Sequence, residues 1–506
     1  MLKRYLKMVT NSRVYDVAVE TPLVQARRLS VRLDNRVWMK REDLQPVHSF
    51  KLRGAYNRIA GLSEEERARG VLAASAGNHA QGVALASRKL GVKALIVMPR
   101  TTPSIKVESV RDYGARIKLS GDTYDDAYTY AAAQAKELGK TFIHPYDDPQ
   151  VIAGQGTIAL EILRQHEGDI DAIFVPVGGG GLIAGIAVVV KSLRPEIKVI
   201  GVEPDEAPCM HEALKRGRRV KLKQVGIFAD GVAVRQAGKE PFRIAREHVD
   251  DIIIVGTDAI CAAMKDIFDD CRAIVEPAGA LAIAGIKKYV EQTGVQGESL
   301  VAINSGANVN FDRLRHVAER AQIGEQREAL LAVTIPEQPG SFRKFCRAIG
   351  KRGITEFNYR YSNAQQAHVF AGIQLQDGDE ERHELVRVLR EQDYPVEDLT
   401  DSELAKLHIR HMVGGRVSGL RDELLFRFQF PERPGALLNF LLSMGNRWNI
   451  SLFHYRNHGA DYGRVLVGIQ VPADSRRDFR KSLDKLGYVY REETDCPAYK
   501  LFLGAS

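Results

Sequence analysis

From Val71 to Pro204 the chain alternates short β-branched runs with longer segments of helical spacing, and this alternation restricts the fold more than any other feature. Strands are predicted at Val71–Ala74, Val92–Met98, Ala115–Leu119, Thr141–His144, Asp171–Val177 and Val199–Val202. Between them helices are predicted at His79–Leu90, Ser104–Tyr113, Asp125–Leu138, Gly156–Gln165 and Leu182–Leu193, with Gly91, Gly114 and Gly139 as stops. That order builds a parallel, doubly wound sheet. Such sheets bind ligands in the loops at the carboxyl ends of their strands, so chemistry is to be sought there.

At 506 residues the chain is long enough for several domains, and 44% hydrophobic and 27% charged residues are ordinary for a globular protein. The net charge of +8 is spread among acidic residues with no basic block interleaved with aromatics, which argues against nucleic acid. Five scattered cysteines without a Cys-x-x-Cys pair suggest neither a disulfide framework nor a zinc site, and fit a reducing cytoplasm. Met1 to Val9 lacks the apolar region of a secretory signal. Ala172 to Val190 is uncharged, but Pro176 and four glycines interrupt it, so it reads as strand, loop and helix and no membrane span is expected.

Three segments carry chemical signals. Ser75-Ala76-Gly77-Asn78-His79 follows a strand, its small residues leaving room for a ligand and Asn78 offering donors and an acceptor. Gly178-Gly179-Gly180-Gly181-Leu182 opens a helix, where bare N–H groups and the helix dipole form an anion cradle; close helix-to-strand packing is the competing reading. Lys51, in Ser49-Phe50-Lys51-Leu52-Arg53-Gly54, can form a Schiff base if burial and a neighbouring cation, Arg53, lower its pKa; a surface lysine at a helix start is the alternative. A nicotinamide enzyme is a rival, since Gly179, Gly181 and Ala184 match G-x-G-x-x-G/A and Glu203 follows about 20 residues on. That reading leaves Lys51 and the Asn78 loop unused. A catalytically silent amino-acid sensor is a second rival.

Together these motifs, with Asn304-Ser305-Gly306-Ala307-Asn308, resemble pyridoxal-phosphate enzymes of the tryptophan-synthase β-subunit fold type, and within them the threonine and serine dehydratases. The resemblance implies a two-lobed α/β catalytic body over residues 1–320 with pyridoxal 5'-phosphate as cofactor. Lys51 would hold the cofactor and act as general base, Phe50 would pack beside the ring, and Asn78 would bond its 3′-oxygen. Gly178, Gly179, Gly180, Gly181 and Leu182 would hold the phosphate, Ser305 would meet the ring nitrogen, and Ser75 and its loop would take the substrate carboxylate. A serine at that nitrogen does not enforce its protonation, which favours elimination over a long-lived carbanion. Ala76 replaces the second serine of the related racemases, so racemisation is not expected. Cys209 replaces the aspartate of relatives with a divalent-cation site, so no tightly bound metal is expected, and Glu203 reads equally as a surface carboxylate.

The last third contains a repeat. Ile335-Pro336-Glu337-Gln338-Pro339-Gly340 is echoed by Phe430-Pro431-Glu432-Arg433-Pro434-Gly435, and Ile354-Thr355-Glu356-Phe357-Asn358-Tyr359-Arg360 by Ile450-Ser451-Leu452-Phe453-His454-Tyr455-Arg456. Each copy reads as the start of a β-α-β-β-α-β module, placed at residues 328–402 and 423–497. The pair is similar to the ACT-like, amino-acid-binding regulatory domains of biosynthetic threonine deaminases. That implies inhibition by isoleucine, relief by valine, a homotetramer, slower turnover of L-serine, and effector roles for Tyr359 and Tyr455. Ordinary strand packing is the other reading of these tyrosines.

Overall fold

The structure, a computed structural model, describes all residues except 103, 312, 362–364, 413, 418, 432–435, 445–446, 457–461, 487, 497–498, 501–502 and 504–506. It divides into two compact units, Met1–Ala321 and Gln322–Ser506.

The first unit contains β1 (Leu23–Gln25), β2 (Arg36–Arg41), β3 (Val71–Ala74), β4 (Ala94–Met98), β5 (Arg116–Leu119), β6 (Thr141–Phe142), β7 (Ala172–Pro176), β8 (Lys198–Pro204), β9 (Asp251–Val255) and β10 (Ser299–Asn304). They form two sheets, ordered β1-β2-β10-β7-β8-β9 and β5-β4-β3-β6. Every pairing is parallel except β1 with β2. The periodicity therefore predicted the strands between Val71 and Pro204 but not their division between two sheets, because it reports a strand's faces and not its neighbour. β7 pairs with β10, more than a hundred residues later. Both faces of the larger sheet are covered: Ile173, Val175, Val301 and Ile303 pack with Ile183, Ile186 and Val190, whereas Phe174, Ile200, Leu300 and Ala302 pack with Leu281 and Ile283. Burial on both faces explains why these strands are continuously apolar instead of alternating.

Helix Pro149–Gln165 begins seven residues before the predicted Gly156, because Asp148 accepts the N–H groups of Gln150 and Val151 and Pro149 sits at the first turn. The glycines inside it mark a close crossing, not a start. A Cβ on Gly154 would lie 2.7 Å from both the Arg53 carbonyl oxygen and the Gly54 Cα, so this helix presses directly on helix Lys51–Ala60.

The second unit contains β11 (Glu328–Pro336), β12 (Ile354–Arg360), β13 (Gln366–Gln374), β14 (Val396–Asp398), β15 (Glu423–Pro431), β16 (Asn449–Arg456), β17 (Tyr462–Gln470) and β18 (Val489–Glu492). They form one antiparallel sheet, β14-β11-β13-β12-β16-β17-β15-β18, in which two β-α-β-β-α-β modules join edge to edge through β12 and β16. Residues 432–435, the turn of the second repeat, lie outside the described residues. Across the seam Phe357 faces Tyr455 and Tyr359 faces Phe453, all four in one apolar core. Among the described residues no helix is long and apolar enough to cross a membrane.

Candidate active site

After β2 the chain makes a short turn, Glu42–Leu44, and runs to Phe50 before helix Lys51–Ala60 begins. Hydrogen bonds fasten this run to the segment that follows β10. Phe50 N–H donates to Ser305 O at 3.2 Å, Ala307 N–H to His48 O at 2.9 Å, and the Asn308 side chain to Val47 O at 2.8 Å. Lys51 is thereby held at the helix start, its Nζ 3.5 Å from Pro145 O and 5.2 Å from the centre of the Phe50 ring. Burial of the amine pushes its pKa down to about 8 against the opposing charge of Glu276. Arg53 is not the cause, contrary to the sequence reading. Its guanidinium is enclosed by Glu42 and Glu161, since residues two apart on a helix point to nearly opposite sides.

Ser75, Ala76 and Gly77 leave β3, and Asn78 begins helix Asn78–Lys89, one residue before the predicted start. Gly77 N–H donates to Ser75 Oγ at 3.2 Å, and no side chain caps the helix. A Cβ built on Gly77 would meet nothing within 4 Å, so open space lies over this loop. Asn78 Nδ2 donates to Glu276 Oε1 at 2.6 Å, and Asn308 Nδ2 donates to Asn78 Oδ1 at 2.8 Å. Glu276 was missed in the sequence. It precedes Pro277 at an ordinary-looking helix start, and only the tertiary fold brings it to Asn78. Burial, reinforced by Asp230, pushes its carboxyl up to about 7. His79 is buried, its Nε2 2.9 Å from Ile143 O, and burial pushes its pKa down to about 3, so it stays neutral.

Helix Gly181–Leu193 follows β7 through the glycine run, with no side-chain cap and with Gly180 at φ +93°. Both readings of these glycines have physical content. A Cβ on Gly179 would lie 2.3 Å from the Tyr146 ring and one on Gly181 2.9 Å from the Tyr146 Cα, so packing demands glycine at both. The uncapped N–H groups are equally what a phosphate needs. Leu182, the next residue of the helix, is buried in the apolar core. Pro145 and Tyr146, which no motif announced, link the lysine to this loop: one accepts from Lys51 and the other packs on the glycines.

Ser305 is buried at the end of β10, its Oγ donating to Ala278 O over a long 3.3 Å. Glu203 is not a surface carboxylate: it is wholly buried and accepts the N–H groups of Met210 and His211, each at 2.8 Å. So engaged, it is not placed to take a ribose hydroxyl, which weakens the dinucleotide reading. Cys209 Sγ donates to Gly178 O at 3.3 Å, and no group of three or more metal-binding side chains is found among the described residues. An uncapped glycine cradle, a lysine with a lowered pKa, an adjacent phenylalanine and a buried hydroxyl fit the needs of pyridoxal phosphate.

In the second unit, Tyr359 is buried and donates to Glu337, which also accepts from Asn449 Nδ2 at 3.0 Å. Tyr455 is fully buried in the same core.

Residues 14–306 match the family model of pyridoxal-phosphate dependent enzymes, and residues 319–409 and 414–503 each match the C-terminal regulatory domain of threonine dehydratase. The chain is 56% identical to a biosynthetic L-threonine dehydratase of Burkholderia multivorans over 99% of both chains. It is also 56% identical to the one of Escherichia coli, over 99% of this chain and 97% of that one. The processed form of threonine deaminase isoform 2 from Solanum lycopersicum is similar in structure, with TM-score 0.63 and 51% identity over 64% of this chain and 88% of that one. With a glycine cradle, a lysine of lowered pKa and two regulatory modules in one sequence, the chain belongs to the biosynthetic threonine dehydratases, pyridoxal-phosphate-dependent lyases.

Proposed function

We propose that residues 1–320 convert L-threonine to 2-oxobutanoate and ammonia, and act more slowly on L-serine. The modules at residues 328–402 and 423–497 would sense isoleucine as inhibitor and valine as the effector that relieves it, in a homotetramer of the cytoplasm. The observation that carries the catalytic reading is the Lys51 amine, held at its helix start with Nζ 3.5 Å from Pro145 O, next to the Tyr146 that packs on the glycine loop, and with its pKa pushed down to about 8 by burial. An amine so poised loses and regains a proton near neutrality, as a general base at Cα must. Bound here, pyridoxal phosphate supplies a carbonyl for Schiff-base formation and a conjugated ring that accepts electron density as the Cα–H bond breaks.

Each residue then has a defined task. The N–H groups of Gly178 to Gly181 neutralise phosphate, with Leu182, the next residue, anchored in the apolar core. Ser75 and the uncapped start of helix Asn78–Lys89 receive the substrate carboxylate, which fixes the Cα–H bond relative to Lys51. Asn78, steadied by its hydrogen bonds with Glu276 and Asn308, would orient the ring oxygen. Phe50 would fill the space beside the ring, and Ser305 would meet the ring nitrogen with a hydroxyl that does not enforce its protonation. Water leaves with the β-hydroxyl and is regained when the nitrogen is hydrolysed off, so the sum is threonine to 2-oxobutanoate plus ammonia.

Regulation is supported by the seam between the modules. There Glu337 of one repeat joins Tyr359 to Asn449 of the other, and four residues after Glu337 comes Ser341, whose buried Oγ has no hydrogen-bond partner among the described residues. A carboxylate and a spare hydroxyl suit the ammonium and carboxylate of an amino acid. Tyr455 would shape the apolar end.

The test is spectroscopic. Wild-type protein should show a visible Schiff-base band that borohydride removes, and Lys51→Ala should lose it with at least ~10³-fold of its turnover of L-threonine. A band that survives Lys51→Ala sinks the catalytic reading, and rates unmoved by isoleucine sink the regulatory one.

A further inference from the structure

We propose that Arg53 is a positioning residue for Lys51, acting through a buried clasp with Glu42 and Glu161; this rests on the reading of Lys51 as the cofactor-bearing amine. Arg53, Glu42, Glu161 and Lys40 are all fully buried. Arg53 Nε and Nη2 donate to Glu42 Oε2 and Oε1, each at 2.8 Å, while Nη1 and Nη2 donate to Glu161 Oε1 and Oε2 at 2.5 and 3.0 Å. Nη1 also donates to Thr157 Oγ1 at 3.1 Å, so every edge of the guanidinium is used. Lys40 Nζ, 2.5 Å from Glu161, brings the cluster to electrical neutrality.

The placement of the clasp gives it a role beyond cohesion. Glu42 begins the turn that leaves β2 and Arg53 lies eleven residues on, inside the helix, so their pairing closes the neck of the loop that carries Lys51. The rim of that loop is separately fastened to Ser305, Ala307 and Asn308. Glu161 adds a tie from helix Pro149–Gln165, where Gly54 and Gly154 bring the backbones together. A planar fork gripping two carboxylates fixes orientation as well as charge, which the single point charge of a lysine cannot do. Lys51 is two residues from that fork, and a displacement of about 1 Å at a reacting group can cost ~10²-fold in rate.

The full-length holoenzyme carrying Arg53→Lys is compared with Ile59→Ala, a cavity in the same helix at a fully buried side chain. Both should lower Tm. Arg53→Lys alone should keep the visible band yet lose most of its visible circular dichroism, and its kcat should fall ~10- to 100-fold with a smaller change in KM. After cofactor removal, amine-reactive labelling of its Lys51 should need a pH about one unit higher, as the loosened loop admits water to the amine. Should Arg53→Lys fail to fold, Glu42→Gln opens half the clasp and should move the same readouts less. The proposal is overturned if the folded clasp variant changes only Tm, or if Ile59→Ala shifts dichroism and labelling equally. Loss of the visible band in Lys51→Ala is scored separately, so failure of the lysine assignment is told apart from failure of the clasp.

Discussion

A pair of buried carboxylates and a single one flank Lys51, and they are built on opposite terms. On the helix side, Glu42 and Glu161 are gripped by Arg53 and Lys40. Burial alone would raise the Glu42 carboxyl, and the Arg53 guanidinium overrides it, leaving the group below the ordinary carboxylate range. On the pocket side, Glu276 is equally enclosed but its short hydrogen bond comes from a neutral amide, Asn78, and its pKa is pushed up to about 7. The difference shows that enclosure does not decide charge here; the nearest cation does. The clamp carboxylates are hydrogen-bonded by cations, whereas Glu276 is hydrogen-bonded by an amide and feels Lys51 and Lys106 only through space.

Removing the cation should erase this contrast at the largest cost. Arg53→Met leaves Glu42 and Glu161 with only Lys40 against them, and an uncompensated buried charge typically costs ~3–5 kcal/mol. Urea unfolding of the first unit at neutral pH should register that loss. Because the folded Glu42 pKa lies below its unfolded value, its contribution is present above the unfolded pKa and disappears as pH falls through the folded one. The variant should therefore lie closest to wild type in acid. A neutral-pH midpoint equal to wild type would mean the clasp contributes no stability.

Glu276 should show the opposite slope. The folded protein keeps its proton from the ordinary 4.5 up to about 7, so over that interval the folded state binds more protons than the unfolded one. Stability falls as pH rises through the window, by about 3 kcal/mol for the full shift. Glu276→Gln retains an oxygen for the Asn78 amide and cannot titrate. Cofactor-free variant protein should accordingly lose less stability than wild type on going from about pH 5 to 7. Parallel curves for the two proteins would show that Glu276 is ionised throughout, and the comparison with Glu42 would fall.

The contrast also separates what was legible in the sequence from what was not. Strand Val71–Ala74 and the glycine-stopped helices could be read because side-chain period and chain stops are local properties. The same locality misled at Arg53, whose nearness to Lys51 along the chain is undone by the helical turn. Glu276 was invisible because its character comes from burial and from Asp230, 46 residues away, with its short hydrogen bond donated by Asn78, 198 residues away, and none of these leaves a motif. The surface reading of Glu203, one of two held equal, fails for a related reason: its burial depends on helix Cys209–Lys215 folding back so that two N–H groups meet its carboxylate.

Glu337 extends the comparison to the second unit at the smallest scale. It is half-buried, its hydrogen bonds come from Tyr359 and Asn449 instead of a cation, and burial raises its pKa, as at Glu276. If this seam receives the ammonium of an amino acid, the ligand itself becomes the missing cation. Tyr359→Phe removes one donor to the carboxylate while keeping the ring that packs on Phe342, 4.9 Å away. Loss of one such bond is worth about 1 kcal/mol, so the isoleucine concentration for half-inhibition should change by roughly fivefold while turnover without isoleucine stays the same. A rise would mean that the tyrosine holds Glu337 in place for the ligand, and a fall that it competes with the ligand for the carboxylate. An unchanged inhibition curve would leave Tyr359 as a packing residue and detach Glu337 from the rule that governs the pocket.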